Sequence, residues 1–211
     1  MSDDHLPAAA AAADLRLTGD PRLGARLREL REASGRSLRS LAKELGITPS
    51  AVSQIERGLM QPSVNRLIAM VSALDVPLSE VFEAAGSATV PLPVDRVGRV
   101  LTRQSQVAPV LLDDGVVFRR LSPGPVAGID FFESVYPPLS NASTQNSLLR
   151  HEGFEVGTVT SGELTIEFEN ETMVLAPGDS ITFPCTDPHH IHNASRTTPA
   201  VATWLIVHPP H

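Results

Sequence analysis

Cysteine is nearly absent from this chain: Cys185 is the single one in 211 residues. No internal disulfide framework is therefore available, which fits a reducing compartment, and the expected localisation is cytoplasmic. Long apolar runs are missing too. None approaches the ~20 residues that a membrane-spanning helix needs, so no membrane partner is expected. The start, MSDDHLPAAAAAAD, carries an alanine run, but its flanks are acidic and no basic region precedes it. Residues 1–20 are expected to be a disordered tail, not a secretion signal. No repeat of solenoid length is present. What is there is ordinary for a globular chain, 42% hydrophobic and 19% charged.

The net charge of −7 is unevenly spread. From Arg22 to Leu74 nine basic residues stand against four acidic ones, whereas from Asp95 onward seven basic residues face thirteen acidic ones. A basic front and an acidic rear suggest that one part meets phosphate and the other does not.

The front reads as helices. Leu23, Leu27 and Leu30 recur at helical spacing, and Ser34-Gly35 ends that helix. Ser37 is placed to cap a second, whose apolar face is Leu38, Leu41, Ala42 and Leu45 and whose stop is Gly46. Thr48-Pro49 starts a third, with Val52 and Ile55 inward and Gly58 at its end. Pro62 opens a fourth carrying Val64, Leu67, Ile68, Val71 and Leu74, and Pro77 starts a short fifth. The AGSATVPLPV stretch from Ala85 to Val94 reads as linker. Beyond it the period becomes two, in short runs separated by turn signals such as Ser161-Gly162 and Pro177-Gly178-Asp179, which points to a sandwich or barrel.

The segment Ser37–Gly58 joins two short helices through Gly46-Ile47-Thr48, a turn short enough to cross them at a wide angle and project the second outward. With Val52 and Ile55 buried, Ser50, Ala51, Ser53, Gln54 and Arg57 lie on the exposed side. Small hydroxyls, an amide able to pair with an adenine edge and a cation behind them suit the DNA major groove. From Leu23 to Phe82 the chain resembles the phage-repressor-like (xenobiotic response element) helix-turn-helix regulators, in its LAKELG, SQIERG and P-S-V-x-x-L stretches. The resemblance implies base contacts from Ser50, Ala51 and Gln54, and phosphate contacts from Arg39, Ser53 and Asn65. In the family the position of Arg57 often serves the helices instead of DNA.

The rear resembles the cupins, through His151-x3-Glu155-x6-Gly162 and Gly178-x5-Pro184-x4-His189-x3-Asn193. Two positions depart from the family: Leu149 stands where a histidine is usual, and Thr186 where a glycine is. The resemblance implies a double-stranded β-helix barrel, and the ligands it leaves are His151, Glu155 and His189. Two imidazoles and a carboxylate suffice for a divalent metal ion with open positions. Residues four apart on one straight strand are about 13 Å apart, too far to share an ion. Glu152-Gly153 must therefore turn the chain and put His151 and Glu155 on adjacent strands. Alternation places His189, Ile191 and Asn193 inward and leaves His190 and His192 to solvent. Phe131, Tyr136, Phe183 and Trp204 are candidates to line a ligand cavity, and Cys185 is a candidate redox thiol.

The expected architecture is thus α+β and multidomain: a tail over 1–20, an all-α five-helix helix-turn-helix domain over 21–84, a linker and connecting strand over 85–104, and an all-β cupin barrel over 105–211. The function expected of it is a sequence-specific transcriptional regulator and not an enzyme. Its partners would be a double-stranded DNA operator, a small-molecule effector sensed by the cupin domain, and a second copy in a homodimer. The alternative is an iron-dependent oxidase resembling hydroxypropylphosphonate epoxidase, which joins similar parts and uses a His-x3-Glu pair.

Overall fold

The computed structural model describes residues 21–83, 100–101, 103, 107–140 and 148–209. The tail expected over 1–20 and most of the linker expected over 85–104 lie outside these. Three of the four α-helices described in the front half begin where a side-chain hydroxyl satisfies a free amide of the first turn. Helix α1 spans Pro21–Ala33 and buries Leu23, Leu27 and Leu30. Helix α2, Leu38–Glu44, starts under the Ser37 hydroxyl, which accepts from the Ser40 amide. Helix α3, Pro49–Glu56, starts under Thr48, whose hydroxyl accepts from the Ala51 amide, with Pro49 in the first turn where no donor is needed. Helix α4, Val64–Leu74, is capped by Ser63, so Pro62 precedes the cap instead of opening the helix.

The fifth helix differs from expectation. Leu78–Phe82 is a 3-10 turn of five residues. Its first amides, of Leu78 and Ser79, are both taken by the carboxylate of Asp130 at 2.9 and 2.7 Å. That contact fixes the turn against the strands and leaves no length for an α-helical ladder. Among the described residues the front half is therefore four α-helices and a 3-10 turn.

The strands are β1 (Val110–Leu111), β2 (Val117–Arg120), β3 (Ile129–Tyr136), β4 (Phe154–Ser161), β5 (Leu164–Phe168), β6 (Thr172–Leu175), β7 (Ser180–Pro184), β8 (His189–His192) and β9 (Ala200–Val207). They form a six-stranded sheet in the order β1-β2-β3-β9-β4-β7 and a three-stranded sheet in the order β6-β5-β8. Among the described residues no ladder closes them into a barrel. The chain leaves β7 at Pro184 and enters β8 at His189 on the other sheet, and the Leu149–His189 bridge there is isolated. Alternation sets the interior: Phe132, Ser134 and Tyr136 of β3 and Ala202, Trp204 and Ile206 of β9 are buried. Helices and sheets share one hydrophobic core.

The helical part is stapled to the large sheet. Asp130 is 1% exposed and also receives His208 Nε2 at 2.8 Å. Burial alone would raise its carboxyl, but the hydrogen bonds from His208, Ser79 and Leu78 hold it below the usual carboxylate value. Beside it Arg120 donates to the Ser79 carbonyl and the Glu83 carboxylate. Among the described residues no helix is long and apolar enough to cross a membrane.

Candidate nucleic-acid interface and metal centre

Helix α3 buries Val52 and Ile55 and turns Ser50 to solvent, with Ala51, Ser53 and Gln54 half-buried along the same side. Arg39 at the start of α2 and Arg57 at the end of α3 are exposed. An open cleft of about 490 Å3 brings Arg39, Ser53 and Arg57 together with Arg28. The structure thus brings three of the seven expected DNA contacts, Arg39, Ser53 and Arg57, into one cleft, while Ser50, Ala51 and Gln54 lie on the same helix as Ser53 and stay at least partly open to solvent. The seventh is elsewhere. Asn65 sits on α4 facing the sheets, its Nδ2 3.5 Å from His190 Nδ1, and it lines the interior cavity described below.

Two features that hold this face in place were not foreseen. Arg31 of α1 and Glu56 of α3 form a buried two-bond ion pair, Nε to Oε1 at 2.6 Å and Nη2 to Oε2 at 3.0 Å. Glu56 is therefore a strut beneath the recognition helix and not an acid on its DNA side. Nearby, α1 crosses α3 at Gly24, where any Cβ would stand 2.4 Å from the Ile55 carbonyl oxygen. Neither is visible locally in sequence, because the partners are separated by 25 residues or more.

The second site lies between the two sheets. Gly153, at φ +110°, bends the chain just before β4, with the Val207 carbonyl oxygen so close that a Cβ would meet it at 2.5 Å. Before the bend, the His151 amide donates to the Cys185 carbonyl; after it, Glu155 pairs across β4 with Phe183 and Ile206. The bend is what lets side chains four residues apart converge. His151 thus lies on a short segment beside the entry to β8, not on a full neighbouring strand.

Ligand atoms of His151, Glu155 and His189 all lie within 4.8 Å of one another. Glu155 Oε2 is 3.5 Å from His189 Nε2 and 4.0 Å from His151 Nε2. The Nδ1 atoms of His151 and His189 sit 3.2 and 2.9 Å from the carbonyls of Glu152 and Asp187. A carbonyl only accepts, so each Nδ1 carries the proton and each Nε2 turns a bare lone pair to the centre. Among the described residues His151 Nε2 and Glu155 Oε2 are buried without a hydrogen-bond partner. Burial pushes the Glu155 carboxyl up to about 8. Burial, then the neighbouring His189, pulls His151 down to about 4, and burial lowers His189 as well. Two neutral imidazoles and a carboxyl starved of partners are a donor set that fits a divalent ion.

Around this centre several expectations change. Phe131 is 36% exposed on the outer face; its neighbour Phe132 takes the inward place, because β3 runs with its even-numbered residues inside. Tyr136 and Trp204 do line the interior, whereas Phe183 packs edge-on against His189, ring centroids 4.8 Å apart. His190 is buried, not solvent-exposed, and Asn65 of α4 reaches to 3.5 Å from its ring. His192 is mostly covered too, 3.3 Å from Glu167. Cys185 is fully buried, and burial followed by the Glu155 charge pushes its thiol up to about 12, which removes it as a redox nucleophile near neutral pH.

The interior cavity amounts to about 10 Å3, room for about one water. Glu155 and His189 form its polar end, Tyr136 and Trp204 line its wall, and Val64, Asn65 and Ile68 of α4 close it. No arginine or lysine lines it among the described residues. Arg150 next to the metal centre points to solvent.

An outward-facing recognition helix on a capped helical domain, seated over paired sheets with an inward His-Glu-His set, defines a helix-turn-helix protein with a cupin domain. Comparison with known proteins agrees: a helix-turn-helix family model (HTH_3) matches residues 27–81, and a cupin domain model (Cupin_2) matches residues 141–206. The chain thus carries a helix-turn-helix domain and a cupin domain, and the curated proteins it resembles are HTH-type transcriptional regulators. It is similar to the HTH-type transcriptional regulator PuuR of Escherichia coli, 29% identical over 173 residues, which is 82% of this chain and 88% of PuuR. A crystal structure of an HTH_3 family transcriptional regulator from Vibrio cholerae shares the fold, with a TM-score of 0.63 at 23% identity over 90% of this chain and 97% of its own. The hydroxypropylphosphonic acid epoxidase of S. wedmorenis superposes less closely, at a TM-score of 0.46 and 18% identity over 90% of this chain and 98% of its own, and no chemistry is carried over from it.

Proposed function

We propose that this regulator reads a two-fold symmetric DNA operator as a homodimer in the cytoplasm, and that its cupin domain, residues 105–211, senses a small-molecule effector on behalf of the helix-turn-helix domain, residues 21–84. One observation carries the reading: the small helical domain presents α3 to solvent and, with the adjacent α4, closes the cupin interior. Ser50, Ala51 and Gln54 would face base edges, and Arg39, Ser53 and Arg57 phosphates. Asn65 has its amide on the cupin side in this arrangement, so it would belong to the coupling between domains and not to the DNA face.

The coupling follows from size. With α4 seated, the interior holds about one water, so a larger effector needs its walls to part, and Val64, Asn65 and Ile68 are the part of those walls that the helical domain supplies. An effector that binds only the displaced arrangement shifts the population toward it, and the orientation of α3 shifts too. The residues fit a divalent ion held by His151, Glu155 and His189. When bound, it would supply a Lewis-acidic anchor for an oxygen or nitrogen of the effector. The same donor set would serve an iron oxidase, but a cavity without a cation to hold a phosphonate and an intact recognition face favour the regulator.

The test uses duplex fragments selected by the protein itself. Gln54→Ala is expected to weaken binding by about 1–3 kcal/mol and to relax base preference at one position. His189→Ala is expected to leave effector-free DNA affinity unchanged. Fluorescence anisotropy reads both, and equal losses in the two variants would refute the division of labour between domains.

A further inference from the structure

The outward face of the six-stranded sheet is unusually free of charge. On an antiparallel sheet with one face packed on a core, the other face ordinarily alternates to polar side chains. Here the register aligns Ile129, Val207 and Phe154 in one cross-strand row, and Phe131, Leu205 and Val156 in the next. The third row begins with Arg119 and Glu133, which neutralise each other at 2.8 Å, and continues with threonines. The fourth is valine on three strands. Phe154 is 57% exposed, Val207 41% and Phe131 36%, and Val126, bridged to Ile129, is 43% exposed. Scattered apolar side chains need no explanation, but a contiguous set in register does.

We infer that this face is where two copies of the chain meet, which rests on the homodimer proposed above and assigns it a surface. Two observations select a second copy as the occupant. The first is charge. From Asp95 onward thirteen acidic residues outnumber seven basic ones, so two cupin domains repel over most of their surfaces. In a two-fold contact each patch meets itself, and a patch whose charges are limited to one closed ion pair can do so without opposing like charges. The second is area. Five strands and four rows give a footprint of roughly 24 by 27 Å, about 650 Å2, close to the ~800 Å2 that each partner buries in a standard interface. The contact leaves α3 free, because the helical part packs on the inward side of the same sheet through Asp130, Phe132 and Tyr136. Two recognition helices are then carried by one rigid double sheet.

Sedimentation equilibrium of the full chain at micromolar concentration tests this. The native chain is expected to show the dimer mass, and a Phe154→Glu/Val207→Glu variant the monomer mass with an unchanged circular-dichroism spectrum. Val174→Glu, at a site 62% exposed on the small sheet and outside the patch, is expected to remain dimeric. Should the double variant fail to fold, Phe154→Ser alone, which adds no charge, is expected to raise the dimer dissociation constant at least tenfold. A native chain that sediments as a monomer overturns both the dimer and its surface. A folded double variant that stays dimeric, or a Phe154→Ser variant that dissociates like the native chain, overturns the surface alone.

Discussion

Replacing Glu56 with alanine is expected to destabilise the helical domain by about 3–5 kcal/mol and to abolish DNA binding with it, the range typical of breaking one side of a buried ion pair. The side chains of Arg31 and Glu56 are 9% and 4% exposed, and both bonds between them have good geometry. Arg31 also donates through Nη1 to the Arg36 carbonyl at 2.9 Å, so the same guanidinium ties the end of α1 to the turn before α2. Deleting the carboxylate leaves a cation out of water with its main partner gone, beneath the helix that must hold its angle. Denaturation followed by circular dichroism is expected to show the helical signal melting before the strand signal. Because a buried pair is costly to desolvate in the first place, an apolar double replacement, Arg31→Met with Glu56→Leu, should recover much of the loss. A Glu56→Ala variant as stable as the native chain would show that the pair is not a strut.

The second large effect is the pH dependence of the metal centre. The Glu155 carboxyl lies at about 8 in the fold against an ordinary value of 4.5, so the folded state keeps a proton that the unfolded chain has released. Its contribution to stability is full below the ordinary value and is lost as pH rises to about 8. His151, held at about 4 against 6.5, works in the opposite sense: its folded form stays neutral where the unfolded one is charged, so stability rises with pH across that window. His189 acts in the same direction. The opposing slopes offset each other below about pH 6.5. Above it only Glu155 remains, and the metal-free protein is expected to lose on the order of 1–2 kcal/mol between pH 6.5 and 8. Holding a divalent cation requires the Glu155 anion. At neutral pH, binding should therefore release one proton, with affinity for Zn2+ rising about tenfold per pH unit before levelling near 8. Titration calorimetry in two buffers of different ionisation heat measures that proton. Release of none, or an unchanged slope in Glu155→Gln, would remove Glu155 from the ligand set.

What could be read in the sequence was what is decided within a few residues. Ser37 and Thr48-Pro49 cap their helices as expected, since the hydroxyl and the amide it accepts from are three residues apart. The need for a bend at Gly153 followed from strand rise once the cupin resemblance put His151 and Glu155 at one ion, and a φ of +110° meets it. Long-range partners were not legible. Arg31 finds Glu56 across 25 residues, and Asp130 finds Leu78 across 52. Phe131 and Phe132 stand side by side between Asp130 and Glu133, so a period of two fixes that one is inside without saying which. His190 was expected in solvent by alternation, but it is buried with Asn65 of α4 beside it, a contact across 125 residues that no strand pattern records. For β8 the alternation of His189, Ile191 and Asn193 was legible, but its ladder to β5 comes from the tertiary fold.

The central claim is that α3 reads base edges while the basic cleft beside it holds phosphates. Equilibrium binding of the native chain to its selected duplex and to a random duplex, repeated across a salt series, addresses it most directly. The specific duplex is expected to bind at least ~1,000-fold more tightly, with affinity for both falling steeply as salt rises. Equal affinity for the two duplexes at moderate salt would contradict the assignment of α3 to DNA recognition.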